Sequence, residues 1–312
     1  MTKKIEKKAD VIVIGAGPAG LTTSIYLGRD KFSNFILTGD VGGQTAVSGE
    51  IENFPGYVSI PGLELIQKMK TQAEKWGSEV ISTEPVKKVE KVDENTFHVE
   101  AEDGHLYEAK AVIITSGKKY RKLGIPGEEE LTGKGVSFCA TCDGPLFRDK
   151  EIALIGGGNS AVKAMVQLAT MVKKIHSINI NPELTGEAVL LDKINSLKNI
   201  ESHPNSDTMK ILGDTLVEGL VIKNKDSENE ITLDVAGVFV EIGSVPNTDY
   251  LQNVCNLNER GEIEVDKTNM TSQEGLFAAG DVTDVLAKQT IIACGEGAKA
   301  AIHTANYLRN KS

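Results

Sequence analysis

Val11-Ile12-Val13-Ile14-Gly15-Ala16-Gly17-Pro18-Ala19-Gly20 runs four apolar residues straight into a glycine-rich turn. A continuous apolar run of this length is what a parallel strand buried on both faces requires. The residues that follow, through about Leu27, read as a helix. Strand, Gly-x-Gly-x-x-Gly and helix form a dinucleotide fingerprint. Gly15 permits the tight turn, Gly17 lets backbone approach a pyrophosphate, Gly20 lets helix pack on strand, and the helix N-terminus faces the negative charge. The next apolar run, Phe35-Ile36-Leu37, ends at Thr38-Gly39, and Asp40 falls slightly late for the acid that grips an adenosine ribose.

A second unit of the same kind starts at Ile152-Ala153-Leu154-Ile155, enters Gly156-Gly157-Gly158-Asn159-Ser160-Ala161 with the permitted Ala in third place, and continues as helix to about Met171. Two fingerprints imply two nucleotide-binding folds. The expected class is α/β, with two Rossmann-like three-layer ββα domains, one inserted into the other. Other segments fill in around them. Leu63 to Trp76 has helical spacing, Val86 through Val99 into Leu106 alternates like a small antiparallel sheet, and Ala111-Val112-Ile113-Ile114 is a buried strand. Leu190 to Leu197 reads as helix, Lys223 to Glu230 as a hairpin turn, Val238 to Val240 and Gly275 to Val282 as strands, and Thr290 to Tyr307 as a small-residue-rich helix.

Between the fingerprints lies Cys139-Ala140-Thr141-Cys142-Asp143-Gly144. Two thiols separated by two residues can close a disulfide and reopen it, and Asp143 beside them can carry the protons that accompany two electrons. Zinc would need four ligands. The chain has no second paired motif, only single Cys255 and Cys294 and scattered histidines, so no metal site is expected.

Composition bounds the function. At 312 residues, 40% hydrophobic and 25% charged, the chain suits a soluble two-domain protein. Four cysteines make no disulfide scaffold, which suggests a reducing cytoplasm where a lone CxxC is catalytic. The basic start, Met1 to Lys8, is followed by glycines and Pro18 and reads as neither signal peptide nor membrane span. A formal charge of −10 argues against nucleic acid as a main partner. The densest basic cluster is Lys118-Lys119-Tyr120-Arg121-Lys122.

With Glu52-Asn53-Phe54-Pro55-Gly56 added to the motifs above, the chain resembles the low-molecular-weight thioredoxin reductases along essentially its whole length. The resemblance implies a discontinuous FAD domain at 1–116 and 244–312, an inserted NAD(P)H-like domain at 117–243 carrying the CxxC, a homodimer, and thioredoxin as partner. It places FAD at Gly15, Gly17, Pro18, Ala19, Gly20, Gly43, Gln44, Asn53, Gly117, Gly280, Asp281, Lys288, Gln289 and Thr290. Cys139 and Cys142 become the redox pair, with Cys142 towards the flavin by analogy and Asp143 the acid–base.

Two departures bear on the electron donor. Where the family carries an arginine-rich NADPH motif, this chain reads Asn179-Ile180-Asn181-Pro182-Glu183-Leu184-Thr185-Gly186, and Lys288 stands where an Arg usually precedes Gln289. Losing bidentate phosphate contacts disfavours NADPH, and no suitably placed acid favours NADH. A branch of the family resembles reductases fed by reduced ferredoxin. A drop from about −400 mV to about −270 mV releases ~6 kcal/mol for two electrons, and Lys118, Lys119, Arg121 and Lys122 are the expected docking surface for an acidic ferredoxin. The alternatives are an atypical NADPH-dependent thioredoxin reductase, a dithiol oxidase passing electrons to oxygen, or a flavin-binding redox sensor. An alkyl-hydroperoxide-reductase flavoprotein is not expected, because the sequence shows no additional N-terminal CxxC domain.

Overall fold

The computed structural model describes residues 5–48, 50–82, 85–251 and 253–311, and divides into two compact units, Met1–Lys119 with Val245–Ser312, and Tyr120–Ser244. The first unit begins with β1 (Ile5–Ala16), α1 (Pro18–Arg29), β2 (Asn34–Val41), α2 (Gly62–Lys75), β3 (Glu79–Ser82), β4 (Val86–Asp93), β5 (Thr96–Ala101) and β6 (Leu106–Ile114). The sheet order is β3-β2-β1-β6-β5-β4, with β3 to β6 parallel through β1 and the β5 and β4 additions antiparallel.

Val11 to Ile14, at most 4% exposed, sit at the centre of this sheet. Successive strand side chains point to opposite faces. Val11 and Val13 therefore join the cluster under α1 and α2 with Leu21, Ile25, Leu65 and Ile66, whereas Ile12 and Ile14 join Phe35, Val89, Phe97 and Val99 under the β4–β5 hairpin. Two strand boundaries differ from expectation. β1 starts at Ile5, because the half-exposed Ile5 to Ala9 pair with Leu106 to Ala109, a polar extension that an apolar run does not reveal. β2 runs to Val41, which a shift in register sets opposite Ala16 and which carries Asp40 to the end of the strand.

The second unit is continuous in sequence. Its elements are β7 (Val136–Ser137), the one-turn α3 (Ala140–Asp143), β8 (Glu151–Ile155), α4 (Asn159–Leu168), β9 (Lys174–Ile178), α5 (Ala188–Ser196), β10 (Ile200–His203), β11 (Ser206–Leu212), β12 (Gly219–Asn224), β13 (Glu230–Leu233) and β14 (Gly237–Val240). A parallel sheet ordered β7-β14-β8-β9-β10 packs α4 and α5 on one face, and the antiparallel β11-β12-β13 sheet shares a second apolar cluster with its other face. The chain then returns to the first unit as β15 (Leu276–Ala278), parallel to the Val112–Ile114 end of β6, and α6 (Thr290–Lys311). Helix α6 lies against α1 at a glycine: a Cβ on Gly297 would meet the Ala19 carbonyl oxygen at 2.3 Å, and Thr23 Oγ1 donates to the Gly297 carbonyl at 3.1 Å. Among the described residues, no helix is long and apolar enough to cross a membrane.

Candidate active site

In the first unit the glycine turn between β1 and α1 opens on a hollow of about 240 Å³. Gly15 has φ +104°, and a Cβ there would meet the Thr115 carbonyl oxygen at 2.5 Å, so only glycine fits. Gly20 is closed in the same way, its Cβ position lying 1.9 Å from the Gly15 carbonyl oxygen. Gly17 is the opposite case, with no atom within 4 Å of its Cβ position, so its backbone faces open space at the head of α1. Pro18 opens the helix and no side chain caps it, which leaves N–H groups of the first turn aimed at a ligand position. A second hollow of about 300 Å³ shares Gly15, Asp40 and Ser116 with the first. Joined through these residues, the two hollows form a trench beside the helix N-terminus.

The trench gathers most of the expected residues. Gly15, Gly17, Pro18, Ala19, Gly43, Gln44, Gly117, Gly280, Asp281, Lys288, Gln289 and Thr290 line it. Gly20 lies beneath it, and Asn53 reaches it by donating from Nδ2 to Gln289 Oε1 at 3.1 Å. Gln44 Nε2 donates to the Lys118 carbonyl at 3.0 Å, and Thr45 and Thr290 hydroxyls meet at 3.2 Å. Residues more than two hundred positions apart thus share one wall.

Behind the trench wall, Lys118 and Lys288 meet a carboxylate that the sequence does not single out. Glu262 is buried, and burial would raise its carboxyl. Asn258 Nδ2 at 3.0 Å and Lys118 Nζ at 3.0 Å, with Lys288 Nζ at 3.5 Å, outweigh that and hold it at about 2. Asp281 goes the other way: burial raises its carboxyl, and Lys288 and Lys118 only partly offset it. Lys288 also donates to the Thr283 and Asp281 carbonyls, so it braces the turn after β15. Its ammonium is itself lowered by burial, against the pull of Glu262.

Of the basic cluster expected to dock a ferredoxin, Lys119, Arg121 and Lys122 are exposed, and Lys118 is turned inward. Lys118 is half-buried against Glu262 and Lys119 pairs with Asp249 in the first unit, while Lys122 pairs with Glu129 at 3.1 Å in the second.

In the second unit Cys139 and Cys142 are joined as a disulfide, with Cα atoms 5.4 Å apart. Cys139 precedes α3, and its Sγ accepts the Cys142 N–H at 3.2 Å; Ser137 Oγ accepts the Cys139 N–H at 3.1 Å. Cys142 is exposed and Cys139 half-buried, and Asp143 follows on the same turn. A second carboxyl, unremarked in the sequence, stands closer to the ring than its numbering suggests. Glu241, just past β14, accepts the Ala140 N–H, and burial outweighs that bond to push its carboxyl up to about 7. A group titrating near neutrality beside a disulfide can exchange protons with the thiols. Burial, reinforced by the Glu241 charge, raises Tyr120, whose ring stacks on Phe138 at 5.9 Å.

The second glycine turn, Gly156 to Gly158, borders a hollow of about 880 Å³. Its rim is occupied by the chain's own 179–187 loop. Asn179, 3% exposed, donates to the Glu183 carbonyl at 2.7 Å and sits so close to Gly157 that a Cβ there would meet Asn179 Oδ1 at 2.1 Å. Thr185 N–H donates to the Gly157 carbonyl at 2.7 Å. At the start of α4, Asn159 Nδ2 donates to Glu187 Oε1 at 3.1 Å, and Lys163 pairs with the same carboxylate at 2.9 Å. The hollow itself stays open at Gly158, with Arg121 and Lys122 on its lining.

Residues 9–297 match the pyridine nucleotide-disulphide oxidoreductase family. The chain belongs to that family. Members of this flavoprotein family related to thioredoxin reductases bind FAD, and the open Gly17 cradle and uncapped α1 terminus fit it. Among curated relatives, an alkyl hydroperoxide reductase component of Staphylococcus aureus is 40% identical over 299 residues, covering 96% of this chain and 59% of that protein. A protein called NADH dehydrogenase from Ferdinandcohnia aciditolerans is also 40% identical, with 57% of its length covered. The chain thus spans less than two thirds of these curated relatives. Solved low-molecular-weight thioredoxin reductases match end to end. That of Lactococcus lactis gives a TM-score of 0.88 at 33% identity, covering 97% of this chain and 99% of that one. That of T. acidophilum gives 0.85 at 36% identity, covering 98% and 100%. A ferredoxin-flavin thioredoxin reductase from Clostridium acetobutylicum gives 0.54 at 26% identity, covering 97% and 99%.

Proposed function

We propose that this chain reduces the disulfide of thioredoxin through Cys139 and Cys142, with electrons delivered by reduced ferredoxin rather than by NADPH. The first unit holds FAD along Gly15 to Ala19, Gly43, Gln44, Gly117, Gly280, Asp281 and Lys288 to Thr290; bound there, the flavin supplies a carrier that takes electrons singly or in pairs. The protein's own steps are thiol chemistry. With the Cys139–Cys142 bond opened by two electrons and two protons, one thiolate attacks the partner disulfide and forms a mixed disulfide. The second thiolate then displaces the reduced partner and re-forms the Cys139–Cys142 bond. Glu241 and Asp143 are the carboxyls beside these thiols that hold and return protons.

The donor reading rests on one observation: Asn179 and Thr185 of the 179–187 loop fold onto Gly157, at the strand end where the resemblance expects arginines. A nucleotide 2′-phosphate entering there finds no arginine from the strand end. The experiment is anaerobic. The oxidised FAD-loaded protein is mixed separately with NADPH, NADH and reduced ferredoxin, and flavin absorbance is followed. Bleaching by ferredoxin alone, followed by reduction of added thioredoxin, is expected. Rapid bleaching by micromolar NADPH would overturn the donor reading and leave the disulfide chemistry intact.

The identity to the alkyl hydroperoxide reductase component supports a second reading, in which the same dithiol serves a peroxide-reducing system. Reduction of a peroxiredoxin-type partner disulfide, with no turnover of thioredoxin, would favour it.

A further inference from the structure

The histidines that look scattered in the sequence are not scattered in the fold. Strands β9 and β10 are parallel neighbours, with His176 in register with Glu201 and Ile178 with His203. Residues two apart on a strand share a face, so His176, Glu201 and His203 converge. His176 Nδ1 lies 3.1 Å from His203 Nε2, and the Glu201 carboxylate oxygens are 3.9 Å from His176 Nδ1 and 3.6 Å from His203 Nε2. One ligand atom from each residue falls within 4.8 Å of the other two. A tetrahedral zinc ion with bonds of about 2.0–2.2 Å holds its ligand atoms about 3.3 Å apart. A small rotation of the Glu201 carboxylate closes the remaining gap.

From this arrangement we infer a three-ligand site for a divalent first-row transition-metal ion, made by His176, Glu201 and His203. Two imidazoles and one carboxylate, with a position left open, form a donor set that Zn²⁺ accepts. The surroundings are those of a ligating imidazole. His176 is 6% exposed, and its far nitrogen, Nε2, points at Glu151 Oε2 at 3.5 Å. A carboxylate there fixes the tautomer that turns the Nδ1 lone pair towards the ion. Glu151 is itself held by Lys173 Nζ at 2.8 Å. Lys174 is the opposing group: its ammonium pairs with Glu201 Oε2 and must give up that oxygen to an incoming cation. The bound ion would clip β10, the edge strand of the parallel sheet, to β9.

The test titrates Zn²⁺ into the flavin-loaded protein with Cys139–Cys142 oxidised, in competition with a chromophoric chelator, and repeats it with Co²⁺ to read the ligand type. Expected are one site, a Co²⁺ spectrum without a thiolate charge-transfer band, and a rise in melting temperature on Zn²⁺ addition. His176→Gln and His203→Ala remove the site. Glu151→Gln weakens it by roughly tenfold or more. Lys174→Gln tightens it, a gain that simple structural damage does not produce. Flavin content and the far-UV spectrum check that each variant is folded, and Glu201→Gln provides a near-isosteric loss of the carboxylate ligand. Zn²⁺ affinity unchanged in both histidine variants, a thiolate band in the Co²⁺ spectrum, or no binding by the wild-type protein would overturn the site.

Discussion

Replacing Glu241 by Gln keeps an acceptor for the Ala140 N–H and removes the titrating proton. In the folded protein this carboxyl sits at about 7 against an ordinary 4.5, chiefly through burial. That displacement corresponds to about 3 kcal/mol as an upper bound. Its sign is that of an acid raised by folding: the contribution is fully present below about pH 4.5 and is lost as pH rises through about 7. Gln does not ionise, so the variant should gain on the wild type by roughly 2 kcal/mol between about pH 5 and about pH 8.5. The assay is urea unfolding of the oxidised protein, read by pulsed hydrogen exchange in β8 and β14, which flank Glu241. The single tryptophan, Trp76, lies in the other unit and serves as an internal control. The variant should also lose the inflection near neutral pH in the rate of dithiol-dependent disulfide reduction. A stability difference that does not change with pH would refute the burial argument, whatever the activity does.

Gly17→Ala should leave the apo fold intact, since its Cβ enters open space, yet weaken FAD binding by about 1–3 kcal/mol, roughly 5- to 150-fold, measured by flavin fluorescence. Gly20→Ala should instead prevent stable folding of the first unit, because its Cβ would enter the Gly15 carbonyl; expression and far-UV spectra decide it. Glu262 is held well below an ordinary carboxyl, so its stabilising contribution is present above about pH 4.5 and lost as pH falls towards about 2; Glu262→Gln should remove that acid-side dependence from thermal melts. Asn179→Ala should cost about 1–3 kcal/mol in the second unit through the lost Glu183 and Asn181 hydrogen bonds, and should speed hydrogen exchange across 180–186.

Much of this was legible in the sequence because glycine and continuous apolar runs are local signals. Val11 to Gly20 and Ile152 to Ala161 announced two strand–turn–helix units, and the alternation from Val86 to Leu106 announced the antiparallel strands beside the first of them. The Ile5–Asp10 extension of β1 was not legible, since its pairing partner lies about a hundred residues away and its exposed side chains carry no apolar pattern. The charge logic was hidden for the same reason. Lys118 reads as part of a basic run, but only the fold shows it half-buried on Glu262. Glu241 looks like an ordinary surface acid until its burial beside Ala140 is known. His176 and His203 form a cluster only through the register of two strands.

The pairing of α6 with α1, seated on Gly297, carries a consequence for biogenesis. Residues 120–244 are continuous and carry their own two apolar clusters once they leave the ribosome, but the trench needs β15, Lys288 to Thr290 and α6, which are made later. At about 5–20 residues per second, that delay is on the order of ten seconds. The dithiol-bearing unit can therefore fold while the trench still lacks a wall. In that interval newly made Cys139 and Cys142 meet the cell's redox buffer before the trench beside them in the chain is complete.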